Sequence, residues 1–123
     1  KHELDEIREK IFQLHLSSHY GAKHSFLSLP ATVELLETTK RCLAAGIAAA
    51  GPGVHLGDVG YAIQKVAEDA GFGVVRDWIG HGVGRTVHED PQVPNYGKPG
   101  TKLVLKPGMT LAIEPMVLTN IRR

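Results

Sequence analysis

Clusters of glycine and proline most constrain what this 123-residue chain can fold into, because they interrupt its periodic segments. Gly51-Pro52-Gly53, Gly71 and Pro107-Gly108 each favour a turn or the end of an element. The stretch from Pro91 to Gly100 holds so many turn-forming residues that it predicts an ordered loop. We therefore expect a single domain of short helices and strands over residues 1–123, without an internal repeat.

Apolar periodicity and capping residues predict three helices. The first spans residues 2 to 17, because a stripe at steps of three and four is formed by Leu4, Ile7, Ile11 and Leu14. Thr32 is the expected N-cap of a second helix that runs to Ala50. Asp58 is the expected cap of a third helix that continues to about Ala70.

The remaining segments predict strands. Alternation over Ser25–Leu29 indicates a short strand or extended arm before Pro30, and residues 73–79 are rich in β-forming side chains. A short strand is expected over Lys102–Leu105 and a longer apolar one over Met109–Val117. The expected fold class is α+β, with three helices packed on a small, mostly antiparallel sheet.

Composition narrows the class of protein. Hydrophobic residues make up 42% and charged residues 22% of the chain, as is usual for soluble domains, and no segment predicts a membrane span or a signal peptide. The net charge of +1 comes from scattered basic residues, which gives no support to a nucleic-acid partner. The lone Cys42 cannot form an internal disulfide and is expected to be buried in a helix. We expect a cytoplasmic protein.

The stretch Gly80–Pro91, GHGVGRTVHEDP, contains the first candidate site. A glycine-rich phosphate loop requires a helix after the glycines, and this stretch continues into Thr86-Val87-His88 and a proline instead. Histidine is a common metal ligand and proton donor, and flanking glycines allow close backbone approach. His81 and His88 can face the same way only if a bend or bulge lies between them.

Glu114 is the second candidate. It stands among apolar residues in Leu111–Val117, where a buried carboxylate is costly unless it is paired or binds a cation. The alternative is a carboxylate exposed on an edge strand, which the adjacent Pro115 permits. The sequence leaves both interpretations open.

Several motifs together resemble a known family. From about Val33 to Leu118 the chain resembles the C-terminal half of type I methionine aminopeptidases, which have the two-fold pseudo-symmetric pita-bread fold. The most specific matches are GHGVGRTVHE, residues 80–89, and PGMTLAIEPM, residues 107–116. Further matches are AAGI at 44–47, VHLGDV at 54–59, GFGVVR at 71–76, QVPNYG at 92–97 and LKPGMT at 105–110. The first thirty residues carry no such match.

The resemblance implies a dinuclear metal centre that activates water to remove an N-terminal methionine from a peptide. It implies that His81 is a metal ligand, that Glu114 is a carboxylate ligand, and that His88 contacts the substrate and stabilises the reacting carbonyl. The implied cofactor is a divalent metal, Co, Mn, Fe or Zn, and the implied partner is a peptide N-terminus.

The sequence also departs from this family. Two aspartate ligands are expected before the matched region, yet the chain has no aspartate between Asp5 and Asp58, and it reaches Arg123 without the last glutamate ligand. We therefore expect an incomplete site, weak or absent metal binding, and little or no peptidase activity. A truncated, chimeric or engineered half-domain would have these properties.

Two other hypotheses follow from the same residues. An active peptidase would need its missing ligands from a second chain or from a histidine cluster, His15, His19 and His24. A non-enzymatic folding or interaction module would retain the family residues as structure. Because half of a pseudo-symmetric fold exposes an apolar face, we also expect a homodimer or a domain-swapped pair.

Overall fold

The computed structural model describes residues 30–119. Contacts between Cα atoms divide the chain into one unit over Lys1–Glu34 and another over Leu35–Arg123. The elements in chain order are α1 Pro30–Ala49, α2 Leu56–Asp69, β1 Gly73–Val74, β2 Gly80–Gly82, β3 Glu89–Val93, β4 Leu111–Ala112 and β5 Val117–Leu118. The predicted helix over residues 2 to 17, the arm over Ser25–Leu29 and the three N-terminal histidines lie outside the described residues.

Helix α1 begins three residues earlier than the predicted N-cap at Thr32 implies. Its first residue is Pro30, so Thr32 lies inside the helix and is not its N-cap. A proline suits the first helical position, since its ring sets a helical φ and its missing N–H has no partner in the first turn. The helix ends at Ala49, directly before the Gly51-Pro52-Gly53 turn, as predicted.

Helix α2 begins at Leu56, and the residue that caps it is His55 rather than the predicted Asp58. Asp58 instead occupies the third helical position, where its Oδ2 accepts a hydrogen bond of 3.0 Å from the backbone N–H of His55. The helix ends at Asp69. Gly71 has φ +82°, which confirms the predicted glycine stop.

The strands form two small antiparallel sheets. In one, the order is β3-β2-β4; in the other, β1 pairs with β5. His81 on the central strand β2 faces Gln92 on β3 and Ala112 on β4. The α+β class is therefore confirmed, with two helices in the part of the chain that the structure describes.

Several predicted strands are shorter in the structure. Of the strand predicted over residues 73–79, only β1 forms. The strand predicted over Lys102–Leu105 is reduced to a single bridge between Val104 and His55. The long strand predicted over Met109–Val117 is divided into β4 and β5. Pro115 lies in the gap between them and has no N–H to donate to a strand ladder.

The prediction of a loop from Pro91 to Gly100 is also partly wrong, because the first three residues of this stretch belong to β3. Pro91 fits there because β3 is an edge strand, so the missing N–H removes no bond from the centre of the sheet. The remainder is irregular, as predicted, and packs on α2 through positions without side chains. A Cβ at Gly57 or Gly60 would collide with backbone oxygens of this loop.

The core is centred on one face of α2. The α2 residues of the core recur at steps of three and four along the helix. The whole cluster consists of Cys42, Leu56, Val59, Ile63, Ala67, Val93 and Leu105. Helix α1 approaches α2 closely at Gly46, where a Cβ would collide with the Ile63 side chain.

The predicted burial of Cys42 in a helix is confirmed, since its side chain on α1 is fully buried. Burial raises the pKa of the Cys42 thiol, and the nearby Arg41 charge opposes this change. Across residues 30–119, no helix has the length and apolar character that a bilayer crossing requires.

Candidate functional site

His81 lies on the central strand β2, where both neighbouring strands approach it closely. Gly80 and Gly82 flank it and are buried, whereas His81 itself is half-buried. A Cβ at Gly80 would collide with the carbonyl oxygen of Ala112, and one at Gly82 with that of Asp90. The glycines of the motif therefore let β3 and β4 lie close to β2 on either side of His81. This agrees with the interpretation of the stretch as a histidine site rather than a phosphate-binding loop.

The imidazole of His81 is fixed by its own strand. Its Nδ1 lies 2.8 Å from the carbonyl oxygen of Gly82. Because a carbonyl only accepts hydrogen bonds, Nδ1 is the donor of this bond, and in the neutral ring the lone pair is then on Nε2. That Nε2 lies 3.8 Å from Oε1 of Glu114. The ring thus presents Nε2, the nitrogen that can bind a metal, to Glu114.

His88 reaches the same place from the end of an irregular turn. Residues 84–88 bend before β3 begins, and the pairing of β2 with β3 shifts register between His81 and Gly82. The rings of His81 and His88 have centroids 4.0 Å apart and are tilted by 40°. The predicted requirement for a bend or bulge between the two histidines is met.

Glu114 lies in the gap between β4 and β5, and its side chain is 46% exposed. Of the two interpretations left open by the sequence, the structure supports an exposed carboxylate rather than one buried in an apolar strand. An exposed carboxylate stays hydrated, so Glu114 needs no cation to offset a cost of burial. Its proximity to His81 is decided by strand pairing, since β4 lies directly beside β2.

His81 and Glu114 carry atoms of the kind that bind a divalent cation. Imidazole nitrogen and carboxylate oxygen both bind first-row metals at about 2.1 Å, which places two ligand atoms about 3.4 Å apart in a tetrahedral site. The observed separation of 3.8 Å is wider, so the two side chains would have to approach each other slightly to share one ion. Within residues 30–119, however, no group of three or more histidine, cysteine, aspartate or glutamate side chains is arranged to hold a metal.

Two further residues support the site and were missed from the sequence. Glu89 braces the turn before His88: its Oε2 lies 3.4 Å from Oγ1 and 3.5 Å from the backbone N of Thr86. Asn95 is fully buried, and its Nδ2 donates a 2.8 Å hydrogen bond to the backbone carbonyl of Glu114. In the sequence Asn95 belongs both to the turn-rich stretch and to the QVPNYG match over residues 92–97, and neither assigned it a role in the site.

Comparison with known proteins identifies related sequences along most of this chain. Metallopeptidase family M24 matches residues 20–122, so the match begins before the stretch that carries the resemblance. Methionine aminopeptidase B of Synechocystis is 46% identical over 108 residues, which is 85% of this chain and 39% of that protein. Methionine aminopeptidase 1 of Bacillus subtilis is 52% identical over 89 residues, which is 72% of this chain and 36% of that protein.

Solved structures show the same relationship. The crystal structure of methionine aminopeptidase from Thermotoga maritima matches with a TM-score of 0.74 at 53% identity, over 77% of this chain and 38% of that one. The methionine aminopeptidase of Rickettsia prowazekii matches with a TM-score of 0.70 at 45% identity, over 72% of this chain and 36% of that one. The chain therefore spans less than two fifths of the length of these relatives, and its described part shares the pita-bread fold with them.

Proposed function

The chain belongs to metallopeptidase family M24, and from this premise we propose that it supplies part of a metal-dependent methionine aminopeptidase site. The observation that carries the proposal is the arrangement of three side chains: Nε2 of His81 lies 3.8 Å from Glu114, and the His88 ring lies 4.0 Å from the His81 ring. The proposed substrate is a peptide that begins with methionine, since the relatives are named methionine aminopeptidases.

Each residue has a distinct proposed role. In this proposal His81 and Glu114 would hold a divalent cation through Nε2 and the carboxylate, and the Gly82 carbonyl accepts the Nδ1 hydrogen bond that leaves Nε2 directed at Glu114. When bound, the metal supplies Lewis-acid polarisation and lowers the pKa of a water. His88 is exposed and adjacent to this pair, so its ring can donate a hydrogen bond to the carbonyl oxygen of a bound peptide.

We further propose that the 123-residue polypeptide by itself binds metal weakly and has little or no peptidase activity. Two protein ligands leave most of the coordination shell to water, and affinity grows with the number of protein donors. The support for this proposal is the pairwise nature of the described site, together with the absence of aspartate between Asp5 and Asp58.

Metal-dependent stabilisation of the fold tests the ligand pair. We expect Mn²⁺ or Co²⁺ to raise the melting temperature of the polypeptide only at millimolar concentrations, because an ion that binds the folded state alone stabilises it by RT ln(1 + [L]/Kd). His81→Ala and Glu114→Gln are expected to abolish the rise. His55→Ala is the matched control, since this histidine caps α2 outside the site. A rise that survives both site variants would contradict the assignment of the ligands.

Hydrolysis of a methionine-initiated tripeptide tests the activity. We expect no turnover above the metal-only rate. Turnover that disappears in His81→Ala and Glu114→Ala would overturn the proposal of an inactive polypeptide. If the specific activity also rises with protein concentration, a second chain supplies the missing ligands, and light scattering would then show a dimer. Absence of both metal stabilisation and turnover would favour a folding or interaction module.

A further inference from the structure

Asn95 is a buried amide whose donor group reaches both ligand-bearing segments. Its Nδ2 donates to the carbonyl of Glu114 at 2.8 Å and lies 3.5 Å from the carbonyl of Trp78. Trp78 comes three residues before His81, where the chain enters β2. One side chain thus connects the backbone of the proposed carboxylate ligand with the segment that leads to the proposed histidine ligand.

Glu114 lies where strand pairing does not define the backbone. On its N-terminal side, Ala112 pairs with His81, and on its C-terminal side, the carbonyl of Met116 accepts a 2.9 Å hydrogen bond from the N–H of Val75. Between these points the chain passes from one sheet to the other. The Asn95 hydrogen bond falls inside this gap, at the residue whose side chain must face His81.

The loop that carries Asn95 is itself held firmly against α2. A Cβ at Gly60 would collide with the carbonyl of Tyr96, and the N–H of Gly97 donates a 3.2 Å hydrogen bond to Oε1 of Gln64. Gly60 and Gln64 are one helical turn apart and present the same face to the loop. Asn95 therefore lies on a loop that is packed against α2, and its hydrogen bond connects this loop to the segment that carries Glu114.

The amide of Asn95 is directed by its donor end. Oδ1 is buried and accepts no hydrogen bond from the described residues, whereas Nδ2 lies within hydrogen-bonding distance of both ligand-bearing segments.

We propose that Asn95 is a positioning residue, which sets the separation of His81 and Glu114 through the Glu114 carbonyl; this rests on the proposed function of that pair as metal ligands. Asn95 does not touch the ion. Residues that orient metal ligands typically change metal affinity by about 10- to 100-fold when they are replaced.

The test uses two replacements that both remove the amide donor. Asn95→Leu removes the donor together with Oδ1, and Asn95→Ala removes the whole amide without inserting a charge or a bulkier side chain at this buried position. Ile63→Val is the matched control, because it destabilises the core and removes no hydrogen bond of Asn95. Each variant is prepared in the 123-residue polypeptide and its melting temperature is recorded.

The first measurement needs no metal. In wild type we expect a nuclear Overhauser effect between the ring protons of His81 and the γ protons of Glu114, since Nε2 of His81 lies 3.8 Å from Oε1 of Glu114. We expect it to weaken in both Asn95 variants and to persist in Ile63→Val. The second measurement is the Kd for Zn²⁺, followed at the His81 ring protons so that other histidines are not counted. It should rise about tenfold in both Asn95 variants.

Folded Asn95 variants that keep both the wild-type Overhauser effect and the wild-type Kd would overturn the proposal, as would equal losses in Ile63→Val. The two proposals can fail separately. If Zn²⁺ does not bind His81 in wild type, the ligand assignment is wrong, and the Overhauser effect alone still decides whether Asn95 positions Glu114.

Discussion

Helix α2 and the histidine site are built from the same chain in opposite ways. The inner face of α2 consists of apolar side chains that are almost fully buried, such as Val59 and Ile63. At the site, His88 is exposed and Glu114 is 46% exposed, and their places are fixed by strand register, a turn and one buried amide. Stability therefore depends on the α2 side, whereas the proposed chemistry depends on the backbone geometry around β2.

This difference has a physical reason. A buried side chain gains free energy from every apolar contact, so a core position tolerates little change in volume. A ligand for a metal or a peptide must remain accessible, so it contributes little to stability and is held by its neighbours instead. The four experiments below test that separation, beginning with the largest expected effect.

Ile63→Ala should have the largest effect. Ile63 is fully buried at the centre of the core, so we expect a loss of about 2–5 kcal/mol in the free energy of unfolding from the removed contacts and the cavity. Ile47→Ala is the matched control, because Ile47 on α1 is 58% exposed, and we expect a change within about 0.5 kcal/mol. Urea unfolding measures both. Equal losses would show that the core is not centred on α2.

Gly80→Ala should have the next largest effect, and it couples the two regions. The added Cβ would collide with the Ala112 carbonyl, so β2 and β4 must separate, at a cost of about 1–3 kcal/mol. Gly51→Ala is the control, since a Cβ there meets no atom within 4 Å. We also expect the Overhauser effect between His81 and Glu114 to weaken. Normal stability in Gly80→Ala would contradict the close strand approach.

The pH dependence that arises from Cys42 should be smaller. Burial raises its pKa in the folded state above the ordinary value of 9.0, so the unfolded thiol ionises first as the pH rises. The stabilisation is therefore fully present below that ordinary value and is lost as the pH rises toward the folded pKa, by at most about 1.4 kcal/mol per pH unit.

Cys42→Ala removes this contribution. Urea unfolding of wild type and Cys42→Ala between about pH 7 and pH 10 should show the steeper loss of stability in wild type. Parallel curves would mean that the thiol ionises equally well in the folded state, which would contradict its burial.

Glu114→Gln should change stability least. The carboxylate is exposed, and exposed ion pairs contribute about 0–1 kcal/mol, so we expect a change within about 0.5 kcal/mol together with a complete loss of the metal-induced rise in melting temperature. A large loss of stability without metal would show that Glu114 is a structural residue and would remove the separation between core and site.

Local sequence signals located the two described helices and the turns at Gly71 and Gly108, because helical periodicity and positive φ are local properties. They located the strands but not their limits. The predicted strand over Met109–Val117 is divided in two, and β3 contains a proline, because strand limits depend on the partner strand. Asp58 was predicted as a cap and is found at the third helical position, which a capping box also uses.

The sequence by itself supplied the candidate residues of the site. The two motifs that resemble those of type I methionine aminopeptidases, residues 80–89 and 107–116, contain His81, His88 and Glu114, and histidine and carboxylate side chains are residue types that bind metals. Only the tertiary structure decided how these residues meet: that Nδ1 of His81 is occupied by Gly82, that Glu114 is exposed, and that Asn95 holds its carbonyl. These contacts join segments up to 33 positions apart, from His81 to Glu114, and side-chain contacts over such separations depend on packing rather than on local pattern.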